Sequence, residues 1–272
     1  MIFRTIEDFS PEAIADSGQC FRMRAQPDGV RLIACGRWLK ITPAEGGFWF
    51  SCTDEEFETV WRPYFDLDAD YAAYRARILK RDKFLQRAAE YGAGLRILRQ
   101  EPFEMLVSFI ISQRKSIPAI RTAVEALCTR FGSPLDTPEG TAYAFPTPPQ
   151  LAAASPEELA ACGLGYRAPY VQDAARRTAD GTLDLAALAE LSDEQLLEQL
   201  QTVRGVGVKV ASCTALFAYH RLGALPVDVW IERVLRQVYG GQWPRRYQPC
   251  AGVLQQYIFY YARCPACDFL CG

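Results

Sequence analysis

The sequence predicts an α+β protein that is mainly helical, with a small N-terminal antiparallel sheet followed by a larger helical domain. Residues 30–52 alternate apolar and polar side chains between glycines, which is typical of short strands joined by tight turns. After Asp54 the apolar residues recur with helical spacing, most clearly in residues 104–113 and 208–219. Prolines and small residues within 132–156 predict a connection inside the helical domain.

The composition is that of a folded chain with a substantial core. Its 272 residues are 50% hydrophobic, yet no apolar run reaches the roughly 18 residues that a membrane span needs. The N-terminus lacks the basic and then apolar layout of a signal peptide, so we expect a cytoplasmic protein with no membrane partner. The net charge of −2 argues against binding nucleic acid through bulk positive charge, so any such contact must be local.

The titratable residues argue against several kinds of site. His220 is the single histidine, which disfavours Ser-His-Asp triads, Cys-His pairs and multi-histidine metal sites, and its position predicts a place at a helix C-terminus. The ten cysteines are scattered through a chain too large to need disulfides, so we expect reduced thiols.

Cysteines near the C-terminus raise the question of a metal. Together with Cys250, the thiolates of Cys264, Cys267 and Cys271 could hold a zinc ion, since four-cysteine sites tolerate irregular loops. Reduced thiols are the favoured interpretation. We therefore expect no metal and no other cofactor.

The segment Val203-Arg-Gly-Val-Gly-Val-Lys-Val-Ala-Ser-Cys predicts a helix-hairpin-helix, because it follows one amphipathic helix and opens another. Gly205 and Gly207 permit a tight backbone turn. The free amides at the start of the second helix, from Val208 onward, would form a phosphate site that suits the DNA backbone.

Lys209 lies in the first turn of this second helix, where the positive end of the helix dipole disfavours a cation and so favours a nucleophilic neutral amine. A solvated or phosphate-pairing lysine is the alternative, and spacing alone favours it. The segment Leu225-Pro-Val-Asp-Val-Trp then places Asp228 at the start of the next helix. A carboxylate there could cap the helix and also stabilise a cationic sugar.

With these features the sequence resembles the helix-hairpin-helix-GPD DNA glycosylases, and in particular their 8-oxoguanine DNA glycosylase branch. The hairpin with Lys209 and Asp228 carries the resemblance to the superfamily. The likeness to the branch rests on four further segments that together span nearly the whole chain: Ser17-Gly-Gln-Cys-Phe-Arg, Phe109-Ile-Ile-Ser-Gln, Gly163-Leu-Gly-Tyr-Arg-Ala and Ala251-Gly-Val-Leu-Gln-Gln-Tyr-Ile-Phe.

The resemblance implies both a fold and a reaction. A twisted, TBP-like antiparallel sheet domain (residues 1–90) would precede a helical catalytic domain (residues 91–272) with the active site between its helical subdomains. A monomer would act on double-stranded DNA containing an oxidised purine, in the nucleoid of a bacterium or the nucleus of a eukaryote. The damaged base would be flipped out, Lys209 would attack the sugar carbon, the base would leave, and elimination from the Schiff base would nick the strand.

The resemblance also assigns the base pocket. The carbonyl of Gly18 would accept the N7 hydrogen of the oxidised base, which normal guanine lacks. Cys213 and Phe259 would sandwich the purine ring, and Gln255 would bind its pairing edge. By spacing alone, the thiol and the phenyl ring would be interpreted as core.

Tyr166 and Arg167 match residues that fill the gap left by the flipped base and contact the orphan cytosine, and we expect them to be exposed. Arg114 stands where well-known members carry an asparagine that contacts this cytosine, and Ala119 stands where an arginine occurs. Strict preference for cytosine is therefore in question. Trp230 replaces a histidine and is expected to pack.

Two alternatives remain open: a helix-hairpin-helix glycosylase for another damaged base, and a non-catalytic DNA-damage binding protein. The pocket set argues against the first. The intact pair of Lys209 and Asp228 argues against the second.

Overall fold

The computed structural model describes residues 1–264 and Cys267. Its N-terminal part is an antiparallel sheet of five strands in the order β1-β5-β4-β3-β2, which confirms the predicted fold class. The strands are β1 (Ile2–Arg4), β2 (Met23–Gln26), β3 (Gly29–Ala34), β4 (Arg37–Ala44) and β5 (Gly47–Phe50). Cross-strand pairs on the buried face, such as Leu32 with Leu39, hold the register of β3 and β4.

Helices form most of the remaining chain. They are α1 (Pro11–Asp16), α2 (Asp54–Glu56), α3 (Arg62–Tyr64), α4 (Tyr71–Ala76), α5 (Lys83–Tyr91), α6 (Pro102–Ser112), α7 (Ile117–Phe131), α8 (Pro148–Ala152), α9 (Pro156–Ala161), α10 (Ala168–Ala179), α11 (Asp193–Gln201), α12 (Val208–Phe217), α13 (Val229–Val238) and α14 (Ala251–Ala262). Within the part of the chain that the structure describes, no helix is long and apolar enough to cross a membrane. The division predicted between residues 90 and 91 stays a prediction.

The connection predicted between α7 and α9 contains a hairpin that the sequence pattern does not reveal. Strands β6 (Pro134–Thr137) and β7 (Gly140–Tyr143) pair antiparallel, and neither strand has a buried residue. Without a buried face there is no alternation of apolar residues to detect. Ion pairs from Glu139 to Arg31 and Lys40 attach the hairpin to the N-terminal sheet.

Gln19 connects the segment after α1 to residues 96–100, and Gln100 in turn connects that segment to α12. Its buried side chain donates from Nε2 to the Arg96 carbonyl and accepts at Oε1 from the Leu98 amide, both at 2.9 Å. Gln100 donates to the Gln19 carbonyl at 2.8 Å, and its own amide bonds to the Phe217 carbonyl at the end of α12. These bonds satisfy buried polar groups and hold the segment after α1 beside α12.

A second buried cluster, around Asp66, connects the segment before α4 to Arg99 and to the end of α12. Its Oδ1 accepts from Arg99 Nε at 3.0 Å, and its Oδ2 accepts from the Tyr71 hydroxyl at 3.0 Å. His220, in a left-handed conformation just after α12, lies with Nε2 at 3.2 Å from Oδ2. Burial raises the pKa of Asp66, but bonds and charges from His220 and Arg99 outweigh it and hold the pKa below its ordinary value.

Asp66 should therefore make the free energy of unfolding fall in acid. Its contribution is complete above the unfolded pKa of 3.8 and is lost as the pH falls through the lower folded value. We expect Asp66→Asn to cost about 3 kcal/mol of unfolding free energy at neutral pH, because it breaks a buried charge cluster. Urea denaturation of both proteins at neutral pH and again at about pH 3 measures this, and the cost should shrink in acid. A cost that is equal at both pH values would contradict the role of the charge.

Candidate active site

A cavity of about 770 Å³ opens where the α6–α7 loop and helices α12, α13 and α14 meet the segment after α1. Residues that the sequence predicts to be functional line this cavity, although they lie far apart in the chain. Its walls include Gly18, Arg114, Gly207, Lys209, Cys213, Asp228, Gln255 and Phe259. The predicted catalytic pair and all four predicted base-pocket residues thus share one cavity.

The hairpin before α12 has the backbone that the sequence predicts. Gly205 adopts a φ of +79°, while Gly207 is extended and caps α12 without a side-chain hydrogen bond. Val208, the first residue of α12, is 67% exposed, and the first amides of a helix have no partner within the helix. Gln113 donates from Nε2 to the Gly205 carbonyl at 3.1 Å and fixes the hairpin to the end of α6.

Replacing Gly205 should damage this hairpin far more than replacing Gly207. A Cβ at Gly205 would lie 2.3 Å from the Tyr170 ring on a left-handed backbone, whereas a Cβ at Gly207 would have no neighbour within 4 Å. We expect Gly205→Ala to lower the free energy of unfolding by about 2 kcal/mol and to weaken binding of undamaged duplex DNA, because strain and overpacking add.

Gly207→Ala is the matched control and should leave the unfolding free energy within about 0.5 kcal/mol of wild type. Chemical denaturation and a fluorescence binding assay measure the two quantities. Equal destabilisation by both variants would contradict the placement of the Gly205 turn against Tyr170.

Asp228 caps α13 and lines the same cavity as Lys209. Its Oδ1 accepts from the amides of Trp230 and Ile231 at 3.0 and 2.9 Å, so the N-cap interpretation is confirmed. Burial raises the pKa of Asp228, while these two amides, Lys209 and Arg263 act to lower it. The carboxylate is therefore held rigidly in a partly desolvated place where a nearby positive charge is favoured.

Cys213 lies one helical turn beyond Lys209 and is almost completely buried. Burial raises the pKa of this thiol to about 12. The charge of Lys209 lowers this pKa and the charge of Asp228 raises it, but burial has the largest effect. At neutral pH the thiol is protonated, so it offers an apolar wall and does not compete as a nucleophile.

Gln255 and Phe259 form the opposite side of the cavity on α14. Gln255 is buried, and its Oε1 accepts from Gln256 Nε2 at 3.0 Å, which orients the amide. Gly18 has a φ of +76°, and a Cβ on it would lie 3.0 Å from Cε1 of Phe259 and 3.2 Å from Cδ1 of Ile117. The backbone of Gly18 thus lies close against the Phe259 ring, so an alanine here would adopt a disfavoured left-handed backbone and would require the ring or Ile117 to shift by a few tenths of an ångström.

Of the three side chains predicted to contact DNA, two are exposed and one is buried. Arg114 is exposed on a left-handed backbone at the cavity rim, and Tyr166 is 54% exposed. Arg167, expected beside it on the surface, is buried at 6% exposure, and that expectation is wrong. Its guanidinium donates from Nε to the Gln113 carbonyl at 2.9 Å and from Nη1 to the Leu164 carbonyl, and lies over the Tyr166 ring. Arg167 therefore fixes the α6–α7 loop and supports Tyr166.

Several cavity residues were not assigned roles from the sequence. Ile117, Arg263 and Trp230 line the cavity, and Gln113 bonds to the hairpin. Trp230 was expected to pack; its half-buried indole packs against the core and also forms part of the cavity wall. These residues meet in the cavity only because elements distant in sequence pack together, and no local sequence pattern predicts such packing.

The cysteine interpretation is tested only in part. Cys271 lies outside the described residues, and within the described residues no three His, Cys, Asp or Glu side chains group so as to hold a metal ion. Cys250 is buried at the start of α14, where burial raises the pKa of its thiol.

Comparison with protein families agrees with this geometry. Residues 1–106 match the family model of the 8-oxoguanine DNA glycosylase N-terminal domain. Residues 107–248 match the model of the HhH-GPD superfamily base excision DNA repair proteins. The boundary between the two matches falls within α6.

Individual relatives agree in sequence and in fold. MBOgg1, solved in complex with a low-affinity DNA ligand, superposes with a TM-score of 0.91 at 33% identity, covering 97% of this chain and 99% of that one. The Clostridium acetobutylicum 8-oxoguanine glycosylase/lyase, solved with double-stranded DNA containing cytosine opposite 8-oxoG, superposes with a TM-score of 0.89 at 34% identity over 96% of this chain and 93% of that one.

The Saccharomyces cerevisiae N-glycosylase/DNA lyase is 37% identical over 158 residues, which are 54% of this chain and only 42% of the yeast protein. The matched segment therefore spans less than half of the yeast protein. Both family models, the whole-chain superpositions and the shared cavity agree. The chain belongs to the HhH-GPD superfamily of base excision DNA repair proteins and carries the N-terminal domain of the 8-oxoguanine DNA glycosylases.

Proposed function

We propose that this protein is a bifunctional DNA glycosylase/AP lyase that excises 8-oxoguanine from duplex DNA. One observation carries the proposal: Lys209 and Asp228 share a cavity with Gly18, Cys213, Gln255 and Phe259. That cavity combines an amine that can attack a sugar, a carboxylate that can stabilise the resulting cation, and apolar walls against which a base can pack.

In the proposed reaction the damaged nucleotide leaves the duplex and its base enters the cavity. Lys209, once deprotonated, bonds through Nζ to the sugar C1′ as the bond from C1′ to the base nitrogen breaks, and the base departs with a proton. Asp228 faces the positive charge that develops on the sugar, and its Oδ1 is already held by two amides. The C1′–O4′ bond of the resulting aminal then breaks as the nitrogen lone pair forms the C1′=N bond, and O4′ leaves as the C4′ hydroxyl, which gives the Schiff base. Loss of the C2′ proton then drives β-elimination, which breaks the C3′–O bond, releases the 3′-phosphate as the leaving group and nicks the strand.

Selectivity would arise at Gly18. Its carbonyl would accept the N7 hydrogen that 8-oxoguanine has and guanine lacks, and a buried carbonyl facing the guanine N7 lone pair would cost about 1 to 3 kcal/mol. The protein would act as a monomer on double-stranded DNA and would need no cofactor. We further propose a cytoplasmic, nucleoid-associated location in a bacterium, or a nuclear one in a eukaryote.

A single-turnover assay tests this function. Duplexes containing 8-oxoguanine, guanine, hypoxanthine or 7-methylguanine are incubated with excess protein, and base release and strand nicking are followed separately. We expect release and nicking with 8-oxoguanine and neither with guanine. Preferred release of 7-methylguanine would support a sister glycosylase, and tight binding without release would support a damage-binding protein.

Because Arg114 stands in place of an asparagine, the protein should show a weaker preference for cytosine opposite 8-oxoguanine. An arginine on this exposed loop replaces an amide contact to cytosine, and loss of one matched base contact is worth about 1 to 3 kcal/mol of discrimination. We therefore expect excision opposite cytosine to exceed excision opposite the other bases by about tenfold or less. The same assay with all four opposite bases measures the ratio. A much larger ratio, unchanged in Arg114→Ala, would show that this loop does not read the opposite base.

A further inference from the structure

Arg263 follows the last turn of α14, in the same cavity wall as Phe259 and one helical turn beyond it. Its guanidinium carbon lies 5.1 Å from the centroid of the Phe259 ring, within the range of a cation–π contact. Its side chain is 22% exposed, so the contact is partly desolvated.

The same guanidinium also holds the end of α1. Its Nη1 donates to the Asp16 carbonyl at 2.8 Å, and its Nη2 lies 3.6 Å from Asp16 Oδ1. The last turn of α1 contains no basic residue of its own, so α14 supplies the cation that the carbonyl end of this helix favours. Gly18 lies two residues beyond Asp16.

Arg263, the Phe259 ring and the segment of residues 16–18 each contact the other two. Arg263 holds Asp16 on one side and the Phe259 ring on the other, and the Gly18 backbone is itself packed against that ring. We propose that Arg263 is a positioning residue that sets the distance between the Gly18 carbonyl and the Phe259 ring, and thereby the selectivity of the cavity for the oxidised base. The selectivity part of this proposal rests on the proposed function.

Arg263 also influences the carboxylate of the catalytic pair. Lys209 and Cys213 on α12 and Arg263 beyond α14 interact electrostatically with Asp228, whose Oδ1 also accepts from two amides of its own helix. Burial raises the pKa of Asp228 and Arg263 lowers it, so removal of this cation should move the acidic limb of the pH profile to higher pH.

The test compares Arg263→Met, which removes the charge and keeps the stem, with Arg263→Lys, which keeps the charge. Arg130→Met is the matched control, because Arg130 also lies over a phenyl ring, that of Phe131 at 5.8 Å, and pairs with Glu158 away from the cavity. Each protein is assayed at single turnover on a duplex with 8-oxoguanine and on a duplex with a preformed abasic site.

Loss of a partly desolvated cation–π contact corresponds to about a tenfold fall in kcat/KM, which we expect for Arg263→Met on 8-oxoguanine. At neutral pH the abasic duplex, which brings no base into the cavity, should be nicked within about twofold of the wild-type rate. Arg263→Lys should retain the wild-type acidic limb, and Arg130→Met should match wild type on both duplexes. Arg263→Met at or above the wild-type rate on 8-oxoguanine, or an equal loss on both duplexes, would overturn the proposal.

A readout without turnover separates this proposal from the proposed function. Phe259 is replaced by 4-fluorophenylalanine in the wild-type and Arg263→Met backgrounds, and the fluorine NMR signal is recorded without DNA. We expect a shifted or broadened signal when Arg263 is removed. An unchanged signal overturns the positioning role whether or not the wild type releases 8-oxoguanine, whereas failure of the wild type to release it overturns only the proposed function and the selectivity that depends on it.

Discussion

Replacing Lys209 with glutamine should abolish strand nicking and should lower the rate of 8-oxoguanine release by on the order of a thousandfold or more. Glutamine has nearly the same length as lysine and cannot form a Schiff base. Lys209 is half-buried at the start of α12 and interacts electrostatically with the Asp228 carboxylate, so the substitution removes the nucleophile and leaves the walls of the cavity in place. Single-turnover release of base and nicking of a preformed abasic site measure the two losses separately.

Lys115 supplies the matched control, since it lines the same cavity and bonds through Nζ to the Gly163 carbonyl at 2.8 Å. Lys115→Gln removes a positive charge from the cavity without removing the proposed nucleophile. It should weaken DNA binding at most and should still nick an abasic site. Retained nicking by Lys209→Gln, or its loss in Lys115→Gln alone, would contradict the assignment of the nucleophile.

Replacing Gly18 with alanine should lower kcat/KM for 8-oxoguanine by about tenfold or more, because displacement of the Gly18 carbonyl or the Phe259 ring loses matched contacts to the base, and one such hydrogen bond is worth about 1 to 3 kcal/mol. The added Cβ would lie 3.0 Å from Cε1 of Phe259 and 3.2 Å from Cδ1 of Ile117. Either neighbour must shift, and the slot for the base changes with it. Nicking of a preformed abasic site needs no base in the slot and should stay near the wild-type rate.

Gly181→Ala controls for backbone strain, because Gly181 has a φ of +80° and a Cβ there would have no neighbour within 4 Å. That variant should lose some unfolding free energy and keep full activity on both duplexes. If Gly18→Ala and Gly181→Ala behaved alike in the excision assay, the effect at Gly18 would be one of strain and the account of the base slot would be wrong.

The fold could be predicted where burial follows a period. Strands β3 to β5 show alternating apolar residues, and α6 and α12 show apolar faces that meet through stacked Phe109 and Phe217 rings 5.5 Å apart. Strand β1 has three residues, and β2 has one buried residue followed by three exposed ones, so neither carries enough pattern to detect. The hairpin of β6 and β7 is absent from the prediction for the same reason.

Part of the site could be predicted from local sequence features, and the rest only from the resemblance to a family. Local chemistry places Lys209 and Asp228 at two helix starts, since a glycine turn opens one helix and an aspartate caps the next, but spacing alone favours a solvated or phosphate-pairing lysine. Gly18 and Gln255 are more than two hundred residues apart in sequence, and only the resemblance to a family brought them together. The burial of Arg167 and the contacts of Arg263 depend on carbonyls from other elements, which no sequence pattern reports.

Borohydride trapping tests the central claim most directly, because it reduces the Schiff base between the enzyme and the sugar to a stable amine. Wild-type protein is incubated with an 8-oxoguanine duplex and borohydride, and the cross-linked protein is digested and its peptides are mapped by mass spectrometry. We predict one covalent adduct, located on Lys209. No adduct, or an adduct on the N-terminal amine or on Lys115, would contradict the claim that Lys209 attacks the sugar.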